Sequence, residues 1–247
     1  MNEIIRNLSN KITKPVTVFD LETTDVDHNT CDIVQFYGCR VSKDKDPLEI
    51  SFICKPRIPI ENGAAEVHGI TNEIADTYSG IQTHIKRVYE LFANADVAGY
   101  NIKRFDLPVM DRILREFGFH DTFKDSYIYD AYPIYLTHSP RNLSESYKYY
   151  LQKELKDAHD ASADSLATIE IINAQLDKEN KNLIDLSDNP NDRVGFSDHI
   201  IIEGGNHIIN FGKYKGTLVK DVDKGFLKWV LNKDFPEPVK SVIKRYV

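Results

Sequence analysis

Five side chains stand out by type and spacing: Asp20, Glu22, Asp106, His159 and Asp164. Asp20 and Glu22 end the run Val16-Thr17-Val18-Phe19-Asp20-Leu21-Glu22, which follows Pro15 and is β-branched and aromatic enough to read as a buried strand. Strand side chains alternate faces, so the two acids point the same way. Two carboxylates on one face of an apolar strand are expensive to desolvate, and a hard divalent cation such as Mg²⁺ or Mn²⁺ would offset that cost. The same pair would equally fit a strand that stops at Asp20 and leaves both acids in a solvated turn. Asp106 follows Gly99-Tyr100-Asn101-Ile102-Lys103-Arg104-Phe105, where a strand ends and a helix with Pro108 in its first turn begins. An acid there suits a ligand site or a helix cap, and Asn101 suits the turn itself. His159 and Asp164 are five residues apart, which on one helix leaves them roughly 140° apart. They converge only if His159 precedes the helix and Asp164 lies in its first turns, where an acid also stabilises the helix end.

The surrounding elements must bring these groups together. Strands are expected over 16–22, 31–41 and 48–54, with a turn at Ser42-Lys43-Asp44-Lys45-Asp46-Pro47, which makes an antiparallel meander. Helical spacing over 82–92 and 107–117 alternates with short strands at 96–100 and 126–130, and helices follow at 142–151 and 161–173. Strands first and alternation later imply an α/β domain, a mixed five-stranded sheet flanked by helices. Residues 177–192 lack periodicity and read as a linker. Beyond it, 199–203 and 207–211 form a hairpin about Gly204-Gly205-Asn206, and two short helices are expected over 226–231 and 239–246. This gives a domain over 1–176, a linker over 177–192 and a small α+β module over 193–247.

Composition narrows the class. The 247 residues are 41% hydrophobic and 28% charged, which supplies a core and excludes a disordered or collagen-like chain. Apolar stretches such as Ile200–Ile202 fall far short of the ~20 residues of a membrane helix, and Met1–Arg6 does not open a secretory signal, so no membrane partner is expected. Cys31, Cys39 and Cys54 form no CxxC pair, which argues against a zinc ribbon or disulfide framework and fits a reducing cytoplasm. Up to residue 192 there are 21 Lys and Arg against 32 Asp and Glu; from Arg193 onward there are 10 against 6. A basic segment on an acidic body suits a polyanionic partner.

Together the motifs are more specific than any one alone. Asp-x-Glu on the first strand, Asn-x₃-Phe-Asp at a strand-to-helix junction and His-x₄-Asp at a helix start resemble the three-motif pattern of the DnaQ-like DEDDh exonucleases, over about residues 14–176. Phe19-Asp20-Leu21-Glu22-Thr23-Thr24 is similar to that family's first motif, and Val67-His68-Gly69-Ile70-Thr71 to a loop motif before the next helix. Asp25 stands where the family usually has Gly and puts the shape of that loop in question. The resemblance implies an RNase H-like fold and a 3′–5′ exonuclease that uses two divalent cations, Mg²⁺ or Mn²⁺. It implies Asp20, Glu22, Asp106 and Asp164 as metal ligands, with Asp20 bridging, and His159 as general base. It also implies Thr23, Val26, His68, Ile70 and Asn101 as residues that bind or order the terminal nucleotides.

The C-terminal Phe211-Gly212-Lys213-Tyr214-Lys215-Gly216 and Phe226-Leu227-Lys228-Trp229-Val230-Leu231 resemble the tail module of exonuclease X-like proteins. Its glycine spacing is not that of a phosphate-binding P-loop. Lys213 and Lys215, beside Tyr214, suit a phosphate backbone or simply the exposed side of a hairpin, and Trp229 reads as part of the module's core ahead of a base-stacking platform. The partner expected is nucleic acid with a free 3′ end, DNA by the tail's likeness. An RNA 3′ exonuclease and a polymerase proofreading subunit are the alternatives within the class. A nucleic-acid-binding protein on an inactive nuclease fold is the alternative outside it.

Overall fold

The computed structural model describes residues 3–132, 142–156 and 158–247. The chain divides into two units, Met1–Ser187 and Asp188–Val247.

The first unit contains the mixed five-stranded sheet. Strands β1 (Val16–Thr23), β2 (Ile33–Val41) and β3 (Leu48–Ile53) form the antiparallel meander, and β4 (Asp96–Gly99) and β5 (Ile128–Asp130) continue it in parallel from β1. The order β3-β2-β1-β4-β5 places β1 at the centre. Around the sheet lie α1 (Glu3–Ser9), α2 (Asn62–His68), α3 (Asn72–Ala75), α4 (Ile85–Phe92), α5 (Asp106–Glu116), α6 (Leu143–Leu151) and α7 (Ala161–Glu179).

The alternation of β1 decides where its acids go. Thr17 and Phe19 take one face: the Thr17 hydroxyl donates to the Leu91 carbonyl of α4 (2.6 Å), and Phe19 packs edge-on against Phe92. Val16 and Val18 take the other face, in one buried cluster with Ile5 and Leu8 of α1 and Ile169, Ile172 and Leu176 of α7. Asp20 and Glu22 continue that second face and so come under the N-terminal end of α7. The strand does not stop at Asp20; it runs on to Thr23, with an irregularity in its pairing between Glu22 and Thr23.

Several boundaries differ from the sequence expectation. Strand β2 starts at Ile33 because Asp32 is already used in a turn, its carbonyl and N–H both bonded to Thr24. Helices α1, α2 and α3 were not expected; α2 has no buried residue and therefore no apolar stripe to read. Helix α7 runs on to Glu179 and ends on Asn180 in the left-handed conformation. The expected linker over 177–192 is folded instead. Leu183 begins a 3₁₀ turn, Leu183–Leu186, is buried in the first unit's core, and donates its N–H to the Lys11 carbonyl. The units separate at Ser187/Asp188. Among the described residues no helix is long and apolar enough to cross a membrane.

In the second unit β6 (Arg193–Val194), β7 (Ser197–Glu203) and β8 (Asn206–Ile209) form a small antiparallel sheet, followed by α8 (Lys224–Leu231) and α9 (Glu237–Ile243). Gly204 and Gly205, with φ of 56° and 78°, make the two-residue turn that glycine suits. Ile200, Ile209, Val219, Leu227, Val230, Val239 and Ile243 form its core. Trp229 does not join them, which corrects the expectation. Helix α8 buries Leu227 and Val230, and the indole is turned off that stripe and left 47% exposed.

Gly99 ends β4 against β1. A Cβ there would lie 2.2 Å from Ile102 Cγ2 and 3.1 Å from the Phe19 carbonyl oxygen. Ile102 is fully buried and begins the approach to Asp106. Gly99→Ala is therefore expected to lower stability by about 1–3 kcal/mol through overpacking. In a double-mutant cycle read by urea unfolding, Gly99→Ala with Ile102→Ala should cost less than the two single changes added. Full additivity would show that this contact does not set the junction.

Candidate active site

Asp20, Glu22 and Asp164 each offer a carboxylate oxygen, and these oxygens lie within 4.8 Å of one another. Asp20 and Glu22 come from β1, and Asp164 comes from the first turn of α7. Asp106 is buried as the first residue of α5, with Phe105, not Asp106, in the capping position. Its Oδ1 instead accepts the Leu21 N–H of β1 (3.2 Å), which anchors α5 between the two strand acids.

Among the described residues, the charges that act most strongly on the strand acids are other carboxylates. Burial holds the Asp20 carboxyl well above the ordinary range, with Asp106, Glu22, Asp164 and Asp160 adding to the shift. Glu22 is pushed up to about 8 by burial and then by Asp164, Asp106 and Asp160. Burial takes Asp106 to about 7 against the opposing pull of its backbone hydrogen bonds. Asp164 is also raised by burial, less so because His159 stands near it. Asp164 Oδ1 is buried without a hydrogen-bond partner. An orphaned carboxylate oxygen beside two further carboxylates is a donor set that fits a hard divalent cation.

The junction before α7 explains how His159 and Asp164 meet. His159 is in the left-handed conformation (φ 71°), outside the helix, and Asp160 is the N-cap, its Oδ1 accepting the Ala163 N–H (2.9 Å). The His159 N–H donates to Asp164 Oδ2 (3.1 Å), so the backbone ties the pair while the histidine remains exposed. The convergence that the spacing required is present.

Two positioning residues escaped the sequence reading. Gln35 lies opposite Glu22 in the β1–β2 register. Its amide spans to α7, Nε2 donating to Asp160 Oδ2 (3.2 Å) and Oε1 accepting the Ala161 N–H (3.4 Å). Asp130, buried at the end of β5, accepts the N–H groups of Asn101 (2.7 Å), Lys103 and Tyr132 (both 3.1 Å). It thus fixes the turn that delivers Asp106. Asn101 takes a left-handed conformation in that turn (φ 59°). An acid closing a short strand is a visible signal for Asp130; Gln35 has none without the register.

The other expected residues scatter. The Thr23 hydroxyl donates to the Asp25 carbonyl (2.8 Å), and the Asp25 carboxylate accepts the Asp27 N–H (2.5 Å), so Asp25 shapes this loop by its own turn. Val26 at its tip is 91% exposed. His68 is partly buried beside the Thr23 backbone, which counters the lowering of its pKa by burial, and its Nδ1 accepts the Ile70 N–H (3.1 Å). Ile70 is only 6% exposed, packed with Val34, Ile60 and Ala75. The expected apolar contact from Ile70 is therefore corrected: its surface is spent on the core. Lys213 and Lys215 belong to the second unit, both exposed.

The Exonuclease family model (RNase T type) matches residues 17–172, well over half of the chain. No curated protein sequence matches. Among solved structures, E. coli exonuclease I in complex with a dA16 oligonucleotide is similar at a TM-score of 0.59 and 23% identity, over 68% of this chain and 42% of that one. The moderately thermophilic exonuclease I of Methylocaldum szegediense gives a TM-score of 0.56 at 24% identity, over 68% and 42%. The zinc-bound E. coli exonuclease I–ssDNA complex gives 0.59 at 23%, over 70% and 42%. The chain thus matches about two-fifths of the length of these proteins, with the same mixed-sheet fold. The match ends before the second unit, and over the first this chain belongs to the Exonuclease family of nucleases.

Proposed function

We propose that the chain is a divalent-cation-dependent 3′–5′ exonuclease that releases 5′-mononucleotides from DNA. The observation that carries the reading is the convergence of Asp20, Glu22 and Asp164 around an orphaned carboxylate oxygen, with His159 tied to Asp164. Asp20, Glu22 and Asp164 would hold one cation, and Asp20 with Asp106 a second. Bound there, Mg²⁺ or Mn²⁺ would polarise the scissile phosphate and acidify the attacking water.

The chain's own residues supply the rest. His159, exposed at the rim, takes the proton from the attacking water as its oxygen bonds to phosphorus. The bond from phosphorus to the 3′ oxygen of the penultimate nucleotide breaks, and that oxygen leaves with the electron pair and acquires a proton from solvent. Gln35 and Asp160 hold the start of α7 so that His159 and Asp164 keep their places over β1. The Thr23–Val26 loop brackets the terminal nucleotide, with Val26 as its apolar contact, His68 supporting the loop and Asn101 ordering the opposite side. Lys213 and Lys215 contact the phosphate backbone. The DNA preference rests on the exonuclease X-like tail and on the oligonucleotide complexes of the exonuclease I structures.

The direct test uses 5′-labelled single-stranded DNA, duplex DNA and RNA of one sequence with Mg²⁺. A ladder shortening from the 3′ end, fastest on DNA, is expected, and His159→Ala should slow it by about 10²–10⁴-fold. Faster RNA shortening would make this an RNA 3′ exonuclease. No shortening with Mg²⁺ or Mn²⁺ would overturn the catalytic reading.

The raised carboxylates give a second test, on stability. Glu22 at about 8 and Asp106 at about 7 lie above their ordinary 4.5 and 3.8. The cation-free folded chain therefore holds protons that the unfolded chain releases. This contribution is fully present below about pH 4 and is lost as pH rises through about 8. In EDTA the melting temperature should fall between about pH 5 and 8; Mn²⁺ should raise it far more at pH 8 than at pH 5. Glu22→Gln should flatten both responses. A melting temperature indifferent to Mn²⁺ at pH 8 would overturn the cation site.

A further inference from the structure

The second unit carries a surface feature that nuclease chemistry does not use. Six rings form one continuous cluster: His199, Phe211, Tyr214, Phe226, Trp229 and Phe235. Their centroids run 5.4 Å from His199 to Phe211, 5.7 Å from Phe211 to Phe226, 4.8 Å from Tyr214 to Phe226, 5.5 Å from Phe226 to Trp229 and 5.9 Å from Trp229 to Phe235. None of the six is fully buried. Phe211, Tyr214, Phe226 and Phe235 pack on one side against the core that holds Ile200, Leu227, Val230 and Val239, whereas Trp229 stands on their outer side, 47% exposed. These four rings serve the fold, but an indole left half exposed on top of them adds little to the core. A large exposed ring backed by further rings marks a surface with a partner.

Charge selects the partner. Lys213 Nζ stands 4.8 Å over the Tyr214 ring; Lys215 follows on the same turn, Lys228 precedes Trp229, and Lys233 lies two residues from Phe235. All four lysines are exposed, and none is ion-paired among the described residues. Asp198 and Asp234 are the neighbouring acids in sequence. Aromatic faces interleaved with unpaired cations match a strand of alternating bases and phosphates, and bases present free faces only when unpaired.

We propose that this aromatic face, centred on Trp229, is a stacking platform for single-stranded nucleic acid. It rests on the nucleic-acid reading above and adds to it a preference for unpaired strands, set outside the catalytic unit. Trp229 stacks a base, Phe226 backs the indole at an interplanar angle of 25°, and the lysines hold the flanking phosphates.

The chain has a single tryptophan, so its fluorescence reports on this face alone. Intact protein carrying Asp20→Asn, in EDTA, would be titrated with an oligothymidylate of about 12 nucleotides and with the matching duplex. Quenching by the single strand, absent with duplex, is expected. Binding of a labelled strand, followed by anisotropy, should weaken about tenfold or more in Trp229→Ala and be largely restored in Trp229→Phe. Unmoved fluorescence at saturation, or equal binding by Trp229→Ala, would overturn the platform and leave the face to a protein partner. The two readings separate cleanly. Shortening of DNA without quenching sinks the platform alone, whereas quenching by a protein whose unsubstituted form degrades nothing sinks the catalysis alone.

Discussion

The first unit is organised around a repulsion. Asp20, Glu22, Asp106 and Asp164 are forced together, and among the described residues the charges that act most strongly on the strand acids are carboxylates. Isolated, such a group would separate. It is held because the same face of β1 that ends in Asp20 and Glu22 begins in Val16 and Val18, and these are sealed against Ile169, Ile172 and Leu176 of α7. Burying those side chains is worth about 1.5–3 kcal/mol each. The apolar end of the strand therefore holds helix and strand in contact at the acidic end, where the electrostatics oppose it.

Fine positioning comes from hydrogen bonds that each involve a backbone N–H or a side-chain amide. Gln35 crosses from β2 to the start of α7, Asp130 gathers three backbone N–H groups into the turn before α5, and the Leu21 N–H fixes Asp106. Each bond uses a backbone group or an amide, so orientation is imposed without neutralising the carboxylates.

What the sequence disclosed follows from the range of the physics involved. Alternation along β1 and the spacing of His159 and Asp164 are local geometry, and both were legible. The mixed sheet followed from the order of its elements. The surroundings of Ile70 and Leu183 are made by distant residues, Val34 and Ile60 for the first and Lys11 for the second, whereas Trp229 was misread although its own neighbours Leu227 and Val230 form the buried stripe that excludes it. Helix α2 stayed invisible because Asn62–His68 buries nothing, and Gln35 because its role exists only once the register sets it opposite Glu22.

The turn at Leu183 has an architectural consequence. Its N–H meets the Lys11 carbonyl, while the Lys11 amino group reaches the Asn173 carbonyl (3.1 Å) and Asp177 (2.7 Å). The segment leading into the sheet and the segment leaving the last helix are thus clasped at one point. A fold whose two ends are neighbours is a self-closed cartridge: it can be threaded into the loop of a host, or strung before and after other domains, with its acidic floor undisturbed. Appending the small second unit after Ser187 is one use of that clasp.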